Sequence, residues 1–382
     1  MYSGKTRFAQ VMDSLPWTTF RRILQRYHDN NRIRTRPRAE QFRVMAIAQL
    51  TFRESLRDIE RCLAAQAQTL YHIGLRHPVR RSTLADASES REWRVYAEFA
   101  QRLISRAQNL YASELLGVEL YNTVYALNST TIGLRLSVFP SGCFRRTKAA
   151  VKLHTLLDLR GAIPSFIPIR DGRFHDVNVL NLLLPEPSMF YIMDRGYLDF
   201  ARALRLDQVG NFVVTCAKGN LDARRMYSAP VDRKSGLMCD QTIALNGFYS
   251  AQDYLAHLRR IRYRDPDTGK GLGFLTNHKL SPALSIWAIY ECRWKLELSF
   301  KWIKQHLRIR RFYGTSENAV KTQIWIAVSV YLLIAIIRKQ LNLTPSMHTL
   351  LQTLSVTLLE KMPLQRVLDE NAMADLDPEL LN

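Results

Sequence analysis

Residues 290–304 read Tyr-Glu-Cys-Arg-Trp-Lys-Leu-Glu-Leu-Ser-Phe-Lys-Trp-Ile-Lys, with the polar side chains spaced for one side of a helix. Ser281-Pro282 just upstream has the form of a helix start, a hydroxyl suited to capping followed by Pro at the first helical position, where its missing N–H costs nothing. At ~100° per residue, Arg293, Glu297 and Lys304 lie within roughly 60° of Tyr290 viewed down the axis. Ile289, Leu296, Phe300, Ile303 and Leu307 cluster about 110° round from Tyr290, the apolar stripe with which such a helix docks on a core. One edge is therefore expected to be buried, and the edge beside it to present a single carboxylate among cations and a phenol. A merely solvated charged face would have the same composition. What sets this stretch apart is its spacing, in which Tyr290, Arg293, Glu297 and Lys304 are separated by two, three and six residues.

A chain of 382 residues can bury a sizeable core and has room for two or three domains. Lys and Arg number 54 against 34 Asp and Glu, a net charge of +20 that favours a polyanionic partner, nucleic acid or an anionic membrane surface. Met1 to Asn30 is polar and basic and does not resemble a secretory leader, so export is not expected. The longest apolar run, Ile324 to Ile337, is shorter than the ~17 to 25 residues of a membrane span and includes Ser329 and Tyr331, which predicts a buried helix. Five scattered cysteines with no Cys-x-x-Cys pair argue against a zinc site or a disulfide framework and agree with a cytosolic setting.

Helical patterning runs from the start to about Gly117, with Phe20, Ile23, Leu24 and Tyr27 in one amphipathic piece and Leu56, Ile59 and Leu63 in another. Thr51-Phe52-Arg53-Glu54 predicts a capping box for the second. Arginines are dense here, as in Arg32 to Arg38, and suit either a solvated loop or phosphate contacts along DNA. Short helices ending at Arg80 to Asp86 are compatible with a helix-turn-helix reader or with a plain helical scaffold.

At about Tyr121 the periodicity turns to strands. Val124 to Asn128 and Ile132 to Phe139 are followed by Val151 to Leu159 and Ile163 to Ile169, joined through Arg160-Gly161 in a hairpin. A short helix through Leu184, a strand from Met189 to Met193, a helix over Phe200 to Leu204 and a strand from Phe212 to Cys216 complete the series. Three strands, helix, strand, helix, strand is the order of the ribonuclease-H-like fold. In such a sheet the ends of the first and fourth strands converge, which would bring position 128 to Asp194.

The set Tyr290, Arg293, Glu297 and Lys304 resembles the Tyr-Arg-Glu-Lys signature of bacterial DDE transposases of the insertion-sequence-four family, which includes cut-and-paste enzymes that move by DNA hairpins. Asp194-Arg195-Gly196-Tyr197 resembles that family's second acidic block, and Leu127-Asn128-Ser129-Thr130-Thr131 its first, Asp-Ser-Thr block. The resemblance implies three carboxylates holding two Mg²⁺ ions, with Mn²⁺ able to substitute; phosphodiester chemistry uses such cations about 4 Å apart to activate the attacking oxygen and stabilise the leaving one. Asp194 and Glu297 are then metal ligands, and Tyr290, Arg293, Lys301, Lys304 and Arg195 are expected to contact DNA. Position 128 departs from the pattern: it is Asn where the family has Asp. A neutral amide oxygen cannot carry the charge that bridges two cations, so catalysis should fall steeply. Either the copy is inactive, by nature or by substitution, or a neighbouring acid such as Asp158 or Asp171 serves; the first is the expectation.

The family also carries a β-rich insertion before the signature helix, matched here by Gln241 to Leu245 and by Leu258 to Tyr263, joined to Gly271 to Thr276 through a turn at Asp265 to Gly269. Its basic residues, among them Lys218, Arg224, Arg225, Arg233, Lys234, Arg259, Arg260, Arg262 and Arg264, suit a groove along DNA. Tyr263, Phe274 and Trp287 are candidates to stack a flipped base. Met347 to Leu359 has helically spaced leucines suited to a dimer contact or to domain packing.

The expected molecule is α+β: a helical, basic DNA-binding region over 1–120, a ribonuclease-H-like catalytic core over 121–216 and 281–345, a β-rich insertion over 217–280 and a C-terminal helical segment over 346–382. Its expected partners are double-stranded DNA, as inverted repeats and target, and a second copy of itself in the synaptic complex. It would work in the bacterial cytoplasm, on the nucleoid, with no membrane partner. The rival reading is a non-catalytic, repressor-like DNA-binding copy, supported by Asn128; a charge-driven membrane-surface protein is a third.

Overall fold

Ser316 accepts the amide of Ala319 at 3.2 Å and so starts α10 (Glu317–Gln340), the longest helix among the described residues, in a computed structural model that describes residues 4–27, 37–114, 116, 122–134, 149–266, 268–293, 312–314 and 316–368. Numbered in the same chain order, the other helices are α1 (Arg7–Asp13), α2 (Trp17–Arg26), α3 (Arg38–Leu50), α4 (Leu56–Ala65), α5 (Arg81–Ser90), α6 (Arg94–Tyr111), α7 (Phe200–Gln208), α8 (Phe248–Asp253), α9 (283–293), α11 (Met347–Thr357) and α12 (Leu364–Leu368). Contacts gather the chain into two units, one of Met1–Ala112, Ile132–Ala150 and Lys301–Asn382, the other of Ser113–Thr131 and Val151–Phe300.

The first unit is helical and built round α10. A window of 18 residues in this helix is apolar enough to cross a membrane, but 94% of it is buried inside the protein, against α3, α5 and α6. Apolar residues on all sides of Ile324 to Ile337 suit a helix under a sheet by sequence, and its partners among the described residues are helices instead. An all-round apolar helix announces burial and leaves the identity of its cover open. Phe20, Phe42 and Phe99 meet edge to face or tilted, with centroids 4.9 to 6.0 Å apart, and form the aromatic centre of the same unit. The leucines of α11 turn inward, with Leu350, Leu351 and Leu354 buried beside α3, α10 and α12. Arg7, 1% exposed, donates to Glu360 at 2.7 Å and to the Thr357 carbonyl at 3.0 Å, fastening α1 to the chain that follows α11.

Two local readings change in this unit. The cap of α4 is Ser55, whose hydroxyl accepts the Asp58 amide at 3.1 Å; Thr51 closes α3, donating its hydroxyl to Ile47 at 2.7 Å. Ser-Leu-Arg-Asp satisfies the same hydrogen-bond logic as the upstream Thr-Phe-Arg-Glu, and Phe52 at φ 57° breaks the helix between them. The connection from α4 to α5 covers residues 66–80 with two 3₁₀ turns, longer than the three or four residues of a helix-turn-helix.

The second unit holds most of one sheet, with strands β1 (Val124–Leu134), β2 (Ala149–Asp158), β3 (Ile163–Phe166), β4 (Ile169–Asp171), β5 (Phe190–Met193), β6 (Phe212–Cys216), β7 (Ala223–Ala229), β8 (Leu237–Leu245), β9 (Leu258–Arg264) and β10 (Gly271–Thr276). Their order is β3-β2-β1-β5-β6-β10-β9-β8-β7, with β4 also on β2. β1, β5 and β6 run parallel, and β10 returns antiparallel on β6. The strands between Cys216 and Ser281 therefore extend the central sheet edge to edge, with β9, β8 and β7 each antiparallel to its neighbour. Parallel strands are buried on both faces. Val124, Ala126, Phe190, Ile192, Val214 and Phe274 face Ile286, Ile289 and Tyr290 of α9, while Tyr125, Leu127, Tyr191, Met193 and Val213 face Tyr197 and Leu206. The helix expected through Leu184 is a 3₁₀ helix, Asp176–Leu182.

Candidate active site

Parallel register builds the centre of the site. Leu127 pairs with Met193, and Met193 with Thr215, so Asn128, midway along β1, and Asp194, just past the end of β5, follow side by side where the β1–β5 pairing ends. Each bends one side-chain oxygen back to the next amide: Asn128 Oδ1 accepts from Ser129, and Asp194 Oδ1 from Arg195, both at 2.7 Å. Asp194 and Arg195 are exposed and Asn128 is half-buried, so the corner is open to a ligand. Thr215 Oγ1 lies 3.5 Å from the Asp194 carbonyl, beneath it on β6.

Behind the corner lies a polar cluster in an apolar setting. Tyr197, 4% exposed, shares a hydrogen bond with Ser129 and approaches His154 Nδ1 at 3.4 Å. His154 is wholly buried on β2 with Asp176 at 3.7 Å, and Asp176 in turn meets Lys152 at 3.0 Å. Burial pushes the His154 imidazole down to about 4, against the opposing pull of Asp176. Burial likewise raises the Tyr197 hydroxyl well above its usual range. Tyr197 and Ser129 lie within the two quoted motifs, whereas His154 has no motif to mark it; its only signal is a lone His among the apolar residues of Val151 to Leu159.

On α9, Ile286, Ile289, Tyr290 and Arg293 form one buried stripe at 3–4 spacing. Cys216, the last residue of β6, donates its thiol to the Tyr290 hydroxyl at 2.9 Å. Arg293 donates to the same oxygen at 3.1 Å, and its guanidinium lies 4.6 Å from the ring centroid. Burial pushes the Tyr290 hydroxyl up, with Arg293 opposing, and pushes the Cys216 thiol up as well. Tyr290 and Arg293, expected beside the buried edge, are inside it, at 6% and 4% exposure. Phe274 on β10 explains the shift, since it offers the tyrosine ring a partner at 4.8 Å. Helix α9 also begins one position late, at 283, with the Pro282 carbonyl accepting its first hydrogen bonds. Glu297, Lys301 and Lys304 lie outside the described residues.

The two acids considered as substitutes for position 128 are placed elsewhere. Asp158 is buried and held by three hydrogen bonds from Arg160, at 2.8 to 3.1 Å. Its neighbour Leu159 donates to the Val124 carbonyl, at the start of β1, about 13 Å of strand away from Asn128. Asp171 is exposed on β4, across from Val151, and accepts the Arg173 amide at 2.9 Å. Among the described residues, no three His, Cys, Asp or Glu side chains are grouped to hold a metal ion. Asn128 and Asp194 supply two adjacent hard oxygen donors, of the kind that suits Mg²⁺ or Mn²⁺, and one of them is neutral.

In the insertion, Phe274 is fully buried, and Tyr263 stacks on Trp287 at 4.3 Å and 19°, so the aromatics nominated for base stacking pack against one another. Arg259 and Arg260 are engaged with Asp240 and Gln241. By contrast Lys218, Arg224, Arg225, Arg233, Lys234, Arg262 and Arg264 are exposed, as are Tyr227, Phe248 and Tyr249.

Comparison with known proteins adds a family. Residues 126–333 match the family model described as a transposase DDE domain, and residues 3–76 match a domain of unknown function, DUF4372. A putative transposase, y4zB, of Sinorhizobium fredii is 30% identical over 190 residues, 49% of this chain and 53% of that one. The probable transposase for insertion sequence element IS5377 of Geobacillus stearothermophilus is 27% identical over 210 residues, 54% of this chain and 55% of the relative. The putative transposase for IS4SA of Synechocystis is 24% identical over 262 residues, 67% of this chain and 71% of the relative. The chain thus spans about half the length of the first two relatives. A piggyBac transposase synaptic complex with hairpin DNA aligns with 97% of this chain and 81% of its own at a TM-score of 0.43 and 11% identity.

Proposed function

The chain belongs to the transposase DDE domain family, and from that premise we propose that it binds the terminal inverted repeats of its own element and is built to cut and join DNA there, through a ribonuclease-H-like core. The observation that carries this reading is the parallel register of β1 and β5, which sets Asn128 and Asp194 next to each other where the pairing ends. The order β3-β2-β1-β5-β6 supports the core assignment, and ligands of open α/β sheets bind outside the carboxyl ends of the strands.

Asp194 and Glu297 hold Mg²⁺ in this scheme, with Mn²⁺ as a substitute, and Asn128 occupies the third ligand position. When bound, such cations polarise the attacking oxygen and neutralise charge at the leaving one. Asp194 contributes a carboxylate already oriented by the Arg195 amide. Asn128 contributes a neutral oxygen turned to Ser129, so the charge needed between two cations is deficient by one, and cleavage by this chain is impaired. Glu297 follows Tyr290 and Arg293 at helical spacing in the sequence, and the burial of these two favours a supporting part for them over direct contact with DNA. Arg195, Lys301 and Lys304 are assigned to phosphates near the scissile bond. The exposed cations of the insertion are assigned to the flank of the DNA end, and the helical region with its surface arginines, such as Arg21, Arg22, Arg57 and Arg61, to the repeat itself.

The proposed setting is the bacterial cytoplasm, with two copies in the synaptic complex and a hairpin as the cleavage intermediate. A second reading, a DNA-binding copy that represses its active relatives, is favoured by Asn128 alone. Incubating the chain and its Asn128→Asp form with an inverted-repeat duplex in Mg²⁺ or Mn²⁺ separates the two: cutting by the restored form alone supports the enzyme reading, and binding without cutting by both supports the repressor.

A further inference from the structure

The guanidinium of Arg259, on β9, holds two parts of the sheet unit together. Nε donates to Asp240 Oδ1 at 2.8 Å and one Nη to Asp240 Oδ2 at 2.7 Å, a bidentate pair from β9 to β8. The other Nη donates to the Ser281 carbonyl at 2.7 Å, with the His278 and Lys279 carbonyls at 3.4 Å. Only 10% of the arginine side chain and 15% of the aspartate remain exposed, so the charge is withdrawn from water and depends on having its donors satisfied. A simple strap between two strands would need the Asp240 arm alone.

The second arm reaches the entry of α9. Ser281 immediately precedes Pro282, whose carbonyl receives the first helical amides, Ser285 and Ile286. From the other side, the Ser281 amide donates to His278 Nδ1 at 3.2 Å, and the His278 ring rests on Phe190 and Phe212 at 5.1 and 4.4 Å. We infer that Arg259 is the positioning residue of α9: it fixes the start of the helix that carries Tyr290 and Arg293 to the β8–β9 ladder of the insertion. Arg293 lies about 15 Å along the axis from the start of α9, so a tilt of about 4° at the start moves it by about 1 Å. A misplacement of that size costs about a hundredfold in rate.

The catalytic consequence rests on the proposed cleavage function; the mechanical link does not. The test uses the full chain and amide hydrogen exchange. Arg259→Lys replaces the fork by one compact ammonium, which gives up the bidentate Asp240 pair as well as the reach to Ser281, and is expected to speed exchange about tenfold at 285–290 and also to loosen 237–245 and 258–264. Asp240→Asn leaves the Ser281 arm in place and is expected to loosen the strands and spare the helix. Loosening confined to the strands in Arg259→Lys, or no change at the helix, overturns the inference. In the Asn128→Asp background, Arg259→Lys is expected to slow cleavage at saturating DNA by about ten- to a hundredfold while DNA-end affinity stays within about twofold. Cleavage and binding lost together, or neither lost, contradicts a positioning role. If Asn128→Asp does not cut at all, the metal-site reading fails, and the exchange pattern still decides Arg259.

Discussion

Cys216 donates its thiol to the hydroxyl of Tyr290 at 2.9 Å, tying the end of β6 to α9. The same oxygen receives Arg293, so one phenol serves two donors in a buried setting. Tyr290→Phe removes that acceptor while keeping the ring on Phe274, and is expected to cost about 1–3 kcal/mol in urea denaturation. Tyr290→Ala also empties the ring site and should cost about 3–5 kcal/mol. An unchanged midpoint for Tyr290→Phe would show that the hydroxyl is not part of the packing.

Asp158 and Arg160 form a structural pair at the start of β1, remote from Asn128 in the strand direction. Asp158→Asn leaves the guanidinium without its charge partner and is expected to lower stability by about 3 kcal/mol. In the Asn128→Asp background it should leave metal-dependent cutting in place. A folded Asp158→Asn protein that had lost all cutting would identify this acid as part of the metal site.

His154 makes stability depend on pH. The unfolded chain takes up its imidazole proton near the ordinary histidine value of 6.5, whereas burial delays uptake in the folded protein to about 4. Between those values the unfolded state binds more protons, so this histidine's share of stability is complete above pH 6.5 and is lost as pH falls, by up to about 3 kcal/mol. Denaturant midpoints from pH 7 to pH 4, compared between the chain and His154→Gln, should converge as the pH drops. Parallel curves would mean that the imidazole is not held neutral.

Exposed and engaged arginines of the insertion should behave differently. Arg224→Ala and Arg225→Ala are each expected to weaken DNA-end binding and to reduce the salt slope of affinity by about 1, without loss of stability. Arg260→Ala, which releases Gln241, should affect the fold more than the slope. Equal salt slopes for Arg224→Ala and the unaltered chain would remove β7 from the DNA surface.

The central strands were legible because burial on both faces writes them as continuous apolar runs, as in Phe190 to Met193. β7 escaped notice for the opposite reason: Arg-Arg-Met-Tyr-Ser is exposed on both faces, so neither alternation nor an apolar run marks it. Asn128 and Asp194 could be found because each ends such a run, and the register of two parallel strands then sets them side by side. The burial of Tyr290 was hidden, since a helical projection ranks a phenol and a guanidinium with the polar face, and only Phe274 and Cys216 across the interface reverse that. His154, Asp176 and Tyr197 are far apart in sequence and share no spacing, so only the fold assembles them.

The decisive measurement is metal-dependent cleavage of an inverted-repeat duplex by the chain as written and by Asn128→Asp, with Asp194→Asn in the restored form as control. Restoring the carboxylate next to Asp194 is expected to raise cutting by at least about a hundredfold in Mn²⁺, and Asp194→Asn to abolish it. Equal cutting with Asn or Asp at position 128, or continued cutting without the Asp194 carboxylate, would contradict the assignment of this strand corner as the metal site.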